Sequence, residues 1–240
     1  MLCGVTALLC AQPPKVKPTA VTFVGCNSDG QAGPSEAPKG NSVFVSTSRE
    51  AAEQLAYYKS AMGLGVLAPR GWHCFCVYGS SGAALYVTAQ PIGVGYFFAN
   101  PRLAITGPVI QLSRTYGDGS GSTTVAEVIA RAFPDRRAFV RRVTEMFDMP
   151  ANSFPAGPYP TDQLTRRSKN VVEYETPAHA EGLGTGPRIT KNDNPIQGVA
   201  ILIGAVPNLL HARIRLPAHS TGLAPAIMSQ VEADAERFGK

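Results

Sequence analysis

The sequence predicts an α+β fold, in which helices pack against a mostly antiparallel sheet. Strand-like apolar runs recur along the chain and are separated by turn formers, which are abundant because the chain has 24 glycines and 20 prolines. Two Thr-x-x-Glu capping boxes precede apolar residues at helical spacing. The last stretch, residues 223–238, also carries its apolar residues on one helical face.

The predicted strands are centred on residues 64–90. This stretch holds three strand-like runs separated by a Pro-Arg-Gly turn and a Gly-Ser-Ser-Gly turn, so it predicts a meander of three neighbouring strands. The stretches 93–98 and 107–116 predict at least one more strand. The remaining strands are predicted at residues 19–25, 43–46, 170–176, 196–205 and 209–216.

The predicted helices follow from capping and from helical spacing. Thr47 and Glu50 form a capping box that predicts a helix to about Met62, and Thr124 with Glu127 predicts a helix over residues 125–133. Two further helices are predicted over residues 135–148 and 223–238.

Composition and the first residues predict an exported protein. Charged residues are only 16% of the chain, against about 25% in a typical domain. Residues 1–11 resemble the end of a secretory signal whose start is missing; a lipoprotein acylated at Cys10 and an ordinary first strand are the alternatives. We expect residues 12–240 to form a single α+β domain in the periplasm or outside the cell. No run approaches the roughly 20 apolar residues of a membrane span.

The cysteines that follow this segment predict one disulfide. Cys74 and Cys76 are two residues apart on one predicted strand, so they face the same way and are poorly placed to bond each other. Either could bond Cys26, and we favour the Cys26–Cys74 pair. The spacings match no familiar zinc motif, so we expect no metal.

Two motifs resemble those of uncharacterised exported bacterial proteins. They are Gly-Cys-Asn-Ser-Asp-Gly-Gln-Ala-Gly-Pro at residues 25–34 and Ala-Pro-Arg-Gly-Trp-His-Cys-Phe at residues 68–75. That family brings no known activity, so the resemblance implies export and no more. The strand-turn-Trp pattern with its flanking helix also resembles small exported α+β domains of the Mog1/PsbP type, from which the middle section with two helices departs.

An anion site is predicted on the strand at residues 209–216. His211, Arg213 and Arg215 alternate there with apolar residues, so one face of the strand is basic and could receive a carboxylate or phosphate. A solvated outer face is the alternative. Most of the net charge of +5 lies between Arg131 and Lys169, which could face an anionic membrane or polymer. Nucleic acid is disfavoured because aromatic stacking residues are not interleaved with these charges.

Catalytic patterns are weak in this sequence. A Gly-x-Ser-x-Gly motif is absent, and the glycines at 117, 119 and 121 lack the spacing of a dinucleotide fingerprint, so no cofactor is expected. His179 and Glu181, in a glycine-rich loop, are the pair that most resembles a functional site. The alternative is that they are ordinary polar residues of an exposed loop. The sequence therefore predicts an exported, non-catalytic binding module for an anionic ligand or envelope component. The alternative is a hydrolase whose serine or histidine–carboxylate site is built from loops. The oligomeric state is not predicted.

Overall fold

The computed structural model describes residues 18–238. Within this range the strands are β1 (Thr19–Cys26), β2 (Ser28–Gly30), β3 (Ser42–Val45), β4 (Leu55–Ser60), β5 (Gly65–Pro69), β6 (His73–Gly79), β7 (Gly82–Thr88), β8 (Val109–Thr115), β9 (Gln163–Ser168), β10 (Val171–Thr176), β11 (Ile196–Ile203) and β12 (Asn208–Arg215). The helices are α1 (Arg49–Gln54), α2 (Val94–Ala99), α3 (Ser122–Ala132), α4 (Arg137–Met146) and α5 (Ala224–Phe238). None of these helices is long and apolar enough to cross a membrane.

The strands form two sheets, and the α+β prediction is confirmed. The large sheet has the order β2-β6-β7-β8-β12-β11-β10-β9, and all its neighbours are antiparallel except β2 and β6. The small sheet has the order β3-β1-β4-β5, with β1 and β4 parallel. Both sheets are therefore mostly antiparallel.

A disulfide joins the two sheets, and it is the one favoured from the sequence. Cys26 ends β1 of the small sheet and Cys74 lies on β6 of the large sheet, with their Cα atoms 5.4 Å apart. Cys76 keeps a free, buried thiol, and burial raises its pKa. The covalent link therefore fixes the two sheets against each other close to the start of β6.

The two faces of the large sheet are covered differently. Its first face packs against the small sheet and α5, through alternate residues such as Leu112, Leu210 and Ala212. Its second face carries two separate apolar clusters. One is formed with α3 and α4 around Phe133, and the other with α2 and adjoining loops around Phe97. The part of the sheet between these clusters is left open.

The predicted helix over residues 47–62 is wrong beyond residue 54. Ser48, not Thr47, caps α1, and its hydroxyl accepts a hydrogen bond from the backbone N–H of Ala51 (3.2 Å). The chain then continues as β4, parallel to β1. Four consecutive residues of β4, from Leu55 to Tyr58, are buried, which a one-sided surface helix could not achieve. Tertiary burial therefore overrides the local helical spacing.

The predicted three-stranded meander is also wrong in part. β6 and β7 pair as expected, but β5 pairs with β4 in the small sheet, so the turn at Gly71 connects the two sheets. Residues 93–98, predicted as a strand, fall almost entirely in helix α2. The strands β2 and β9 were not predicted. β9 is polar and almost wholly exposed at a sheet edge, so it lacks the apolar pattern that marks a strand in the sequence.

Candidate functional site

A cleft of about 600 Å³ opens on the second face of the large sheet, in the gap between its two apolar clusters. Val77, Ala84 and Ser113 form part of its floor and lie directly opposite one another on β6, β7 and β8. Helix α3 borders the cleft, as do Phe98 of α2 and the loop of residues 182–187. Small-molecule sites have volumes of about 300–1,000 Å³, so the cleft is large enough for a small ligand.

Arg213 of β12 supplies a cation to this cleft. Its Nε donates to the carbonyl of Leu183 (3.0 Å), and its Nη1 donates to Oε1 of Gln111 (2.9 Å). The Gln111 amide in turn donates to the hydroxyl of Tyr86 (2.9 Å). A guanidinium has five N–H donors, and no other acceptor for Arg213 occurs among the described residues. The arginine is therefore held by two contacts while most of its donors stay uncommitted.

The loop that orients Arg213 is anchored by Asp162. One oxygen of this carboxylate accepts from the hydroxyl of Thr176 (2.7 Å) and the other accepts from the backbone N–H of Leu183 (2.8 Å). The Thr176 hydroxyl also accepts from the N–H of Gly184 (3.0 Å). Burial raises the pKa of Asp162, although these hydrogen bonds and Arg131 act in the opposite direction. The carboxyl group thus serves as an acceptor for the loop.

Close packing explains two of the glycines in this loop. A Cβ at Gly182 would lie 2.0 Å from an oxygen of Asp162, and a Cβ at Gly184 would lie 2.7 Å from the Ile196 side chain. Neither position has room for a side chain. At Gly186 a Cβ would lie 3.9 Å from Nη2 of Arg213, so this backbone passes beside the uncommitted part of the guanidinium.

A second arginine borders the cleft from α3. The guanidinium of Arg131 lies over the ring of Tyr159, 4.1 Å from its centroid, and Nη1 donates to the carbonyl of Gly157 (3.4 Å). Glu127, one helical turn earlier, also borders the cleft and is exposed. Neither Arg213 nor Arg131 forms an ion pair with a carboxylate within 18–238. The charged residues that line the cleft are three arginines, Arg114, Arg131 and Arg213, and one glutamate, Glu127.

The other two residues of the predicted anion site are buried away from this cleft. His211 is 1% exposed, and its Nε2 lies 2.8 Å from the hydroxyl of Tyr174. Burial and the charge of Arg213 hold the pKa of His211 well below its usual value, so its ring is neutral. Arg215 is also 1% exposed and donates to the carbonyls of Ile105, Gly107 and Thr190. All three side chains lie on one face of β12, but only Arg213 borders the cleft.

The loop pair His179 and Glu181 lies outside the cleft lining. Nε2 of His179 is 3.5 Å from the carboxylate of Asp193, and both side chains are largely exposed. Glu181 pairs instead with Lys191 (3.4 Å) and accepts from the hydroxyl of Thr185 (2.9 Å). The two residues therefore have different partners, although Thr185 itself borders the cleft.

The serine on the cleft floor is not paired with a histidine ring. Ser113 Oγ donates to the backbone carbonyl of His211 (3.4 Å), whereas the His211 ring contacts Tyr174. Nucleophilic serine catalysis needs the hydroxyl to contact the base itself. Among residues 18–238, no three side chains of the His, Cys, Asp and Glu types come together in a way that could hold a metal ion.

Sequence reasoning missed Gln111, Ser113 and Asp162 as residues of this site. The first two fall on the polar side of a strand whose partners could not be known, and Asp162 follows a proline-rich connection. Comparison of the chain with protein-family models, with curated proteins and with solved structures gives no match in any of the three.

Proposed function

We propose that this protein is a non-catalytic binding module that receives an anionic ligand in the cleft, with Arg213 as the main contact. One observation carries the proposal. Arg213 borders the cleft, makes only two hydrogen bonds and has no carboxylate partner among the described residues. A guanidinium with uncommitted N–H groups is suited to a carboxylate or phosphate, which it can contact through two donors at once.

The surroundings of Arg213 favour a role in ligand binding over the role of an ordinary exposed arginine. Leu183 and Gln111 hold the guanidinium before any ligand arrives, so little side-chain freedom is lost on binding. Arg131 adds positive charge to the same cleft, which Arg114 also lines, whereas Glu127 carries the opposite charge at an exposed position. An anion bound near Arg213 would also be partly shielded from water, which strengthens the electrostatic attraction.

We also propose that the module works outside the bacterial cytoplasm, in the periplasm or beyond the cell. The Cys26–Cys74 disulfide supports this, because such bonds persist mainly in oxidising compartments. The low charged fraction of 16% agrees with an exported protein.

The test is a titration followed by backbone amide NMR at low ionic strength, with acetate, octanoate and inorganic phosphate as probes. At least one probe should give saturable shifts at the amides of residues 182–186, and added salt should weaken them. Arg213→Met should abolish the shifts. Arg141→Met, which removes an exposed arginine of α4 outside the cleft lining, should not. If no probe shows binding that depends on Arg213, the proposal is overturned.

A further inference from the structure

We infer that the ligand is an amphiphilic acid: a carboxylate attached to an apolar chain, whose acid group contacts Arg213 and whose chain lies on the floor of the cleft. This inference rests on the proposed function and names its ligand class. It comes from the lining of the cleft, whose surface is more apolar than polar and whose charged groups are three arginines and one glutamate.

The floor next to Arg213 is flat, open and mostly apolar. The register aligns Ser113, Ala84 and Val77 across three neighbouring strands. Neighbouring strands are about 4.8 Å apart, so this row extends for about 10 Å. Ala84 is only half-buried, which means that the described residues leave its small side chain partly uncovered. A sheet face of small side chains suits an extended apolar chain.

The apolar surface continues up the borders of the cleft. Val128 of α3 lines it, as do Leu183 and Pro187 of the loop. Phe98 of α2 lines it as well and is 47% exposed. An aromatic side chain left so exposed beside a cleft is a surface that a bound apolar group would cover.

The uncommitted N–H donors of Arg213 indicate where the acid group of the ligand binds. Arg213 is aligned with Gln111 and lies two residues along β12 from His211, which is the residue opposite Ser113. The Ser113 hydroxyl donates to the His211 carbonyl, so Arg213, which lines the cleft, supplies the charged donor beside this end of the row. The row from Ala84 to Val77 offers no side-chain donor. The arrangement therefore matches a ligand with one charged end.

The experiment is calorimetric titration with the straight-chain series acetate, butyrate, hexanoate and octanoate, together with octanol. A fully buried methylene strengthens binding about fourfold and a half-buried one about twofold, and octanoate has six methylenes more than acetate, so even at half burial octanoate should bind roughly 60-fold more tightly. Octanol should bind much more weakly than octanoate. Ala84→Leu, which fills the floor, should weaken octanoate binding at least tenfold and acetate binding much less. Phe98→Ala should weaken octanoate binding several-fold, and this exposed site is a safe second variant should Ala84→Leu fail to fold.

The outcomes separate this inference from the proposed function. If affinity depends on Arg213 but not on chain length, the cleft binds anions and the amphiphile inference is overturned. If octanol binds as well as octanoate and Arg213→Met changes neither, both the inference and the anion proposal are overturned. The inference is supported if octanoate binds more tightly than acetate and if Arg213→Met and Ala84→Leu each weaken the binding of octanoate.

Discussion

Arg215 and Arg213 lie two residues apart on the same face of β12, and replacing each by methionine should have opposite consequences. Arg215 is fully buried and donates to three backbone carbonyls, at residues 105, 107 and 190, which tie two loops to the sheet. Arg213 is half-buried and borders the cleft. Methionine keeps much of the length of the side chain and removes every donor. Comparing the two variants therefore tests whether Arg215 stabilises the fold and Arg213 binds the ligand.

The expected loss of stability follows from the carbonyls that Arg215→Met leaves unpaired. Each buried, unsatisfied acceptor costs about 1–3 kcal/mol. Part of the cost for three carbonyls is offset because methionine carries no charge that has to be buried. Burying the charged guanidinium is unfavourable, since burial lowers the pKa of Arg215 to about 10. We expect a net loss of about 3 kcal/mol. Arg213→Met loses two hydrogen bonds at a half-buried position, so its loss should be about 1–2 kcal/mol.

Urea unfolding followed by circular dichroism measures both losses. The unfolding midpoint should fall clearly for Arg215→Met and slightly for Arg213→Met, with similar m-values. Ligand titrations on the folded proteins should show the reverse order, with binding lost in Arg213→Met and retained in Arg215→Met. The reasoning is refuted if Arg215→Met unfolds at the wild-type midpoint, or if Arg213→Met proves the less stable of the two.

Three further predictions concern the loop anchor, the disulfide and the buried imidazole. Asp162→Ala should destabilise the protein by about 1–3 kcal/mol and speed amide exchange in residues 182–186, because the Leu183 N–H loses its acceptor, whereas the exposed Asp193→Ala should do neither. Replacing both Cys26 and Cys74 by alanine should cost about 4 kcal/mol in urea unfolding, since the disulfide spans 48 residues; an unchanged midpoint would contradict this. Burial holds the pKa of His211 in the folded state below its value in the unfolded chain. As the pH falls below about 6.5, the unfolded chain is protonated at His211 while the folded protein is not, so the folded state loses stability. Between pH 7 and pH 5 the wild type should therefore lose more stability than His211→Gln, by up to about 2 kcal/mol, and equal pH slopes would disprove it.

The cleft itself shows how function depends on the way that separate segments meet. Arg213 is oriented by Leu183, which is held by Asp162, and the three residues come from β12, a glycine-rich loop and the segment before β9. No two of them are near in the sequence. A change at Asp162 should therefore affect ligand binding although this residue is not part of the cleft lining.

Local patterns in the sequence were sufficient for several parts of this protein. Alternation predicted β12 and its polar face, and continuous apolar residues predicted β11. The helix predicted over residues 125–133 is present as α3, but its predicted capping box is wrong, because Gly121 is the N-cap and Thr124 lies within the helix. The favoured Cys26–Cys74 pair is present as well. The strands and the helix follow from backbone periods of two and 3.6 residues, and these periods are visible in residues that are close together in the sequence.

The tertiary structure alone decided how these elements are combined. Residues 55–60 became a strand because they are buried between neighbours on both sides, and β5 left the meander to pair with β4. It also decided that His211 and Arg215 are buried while Arg213 faces the cleft, although all three share one alternating pattern. The physical reason is that burial depends on what covers a face, and the covering helices and loops come from distant parts of the chain.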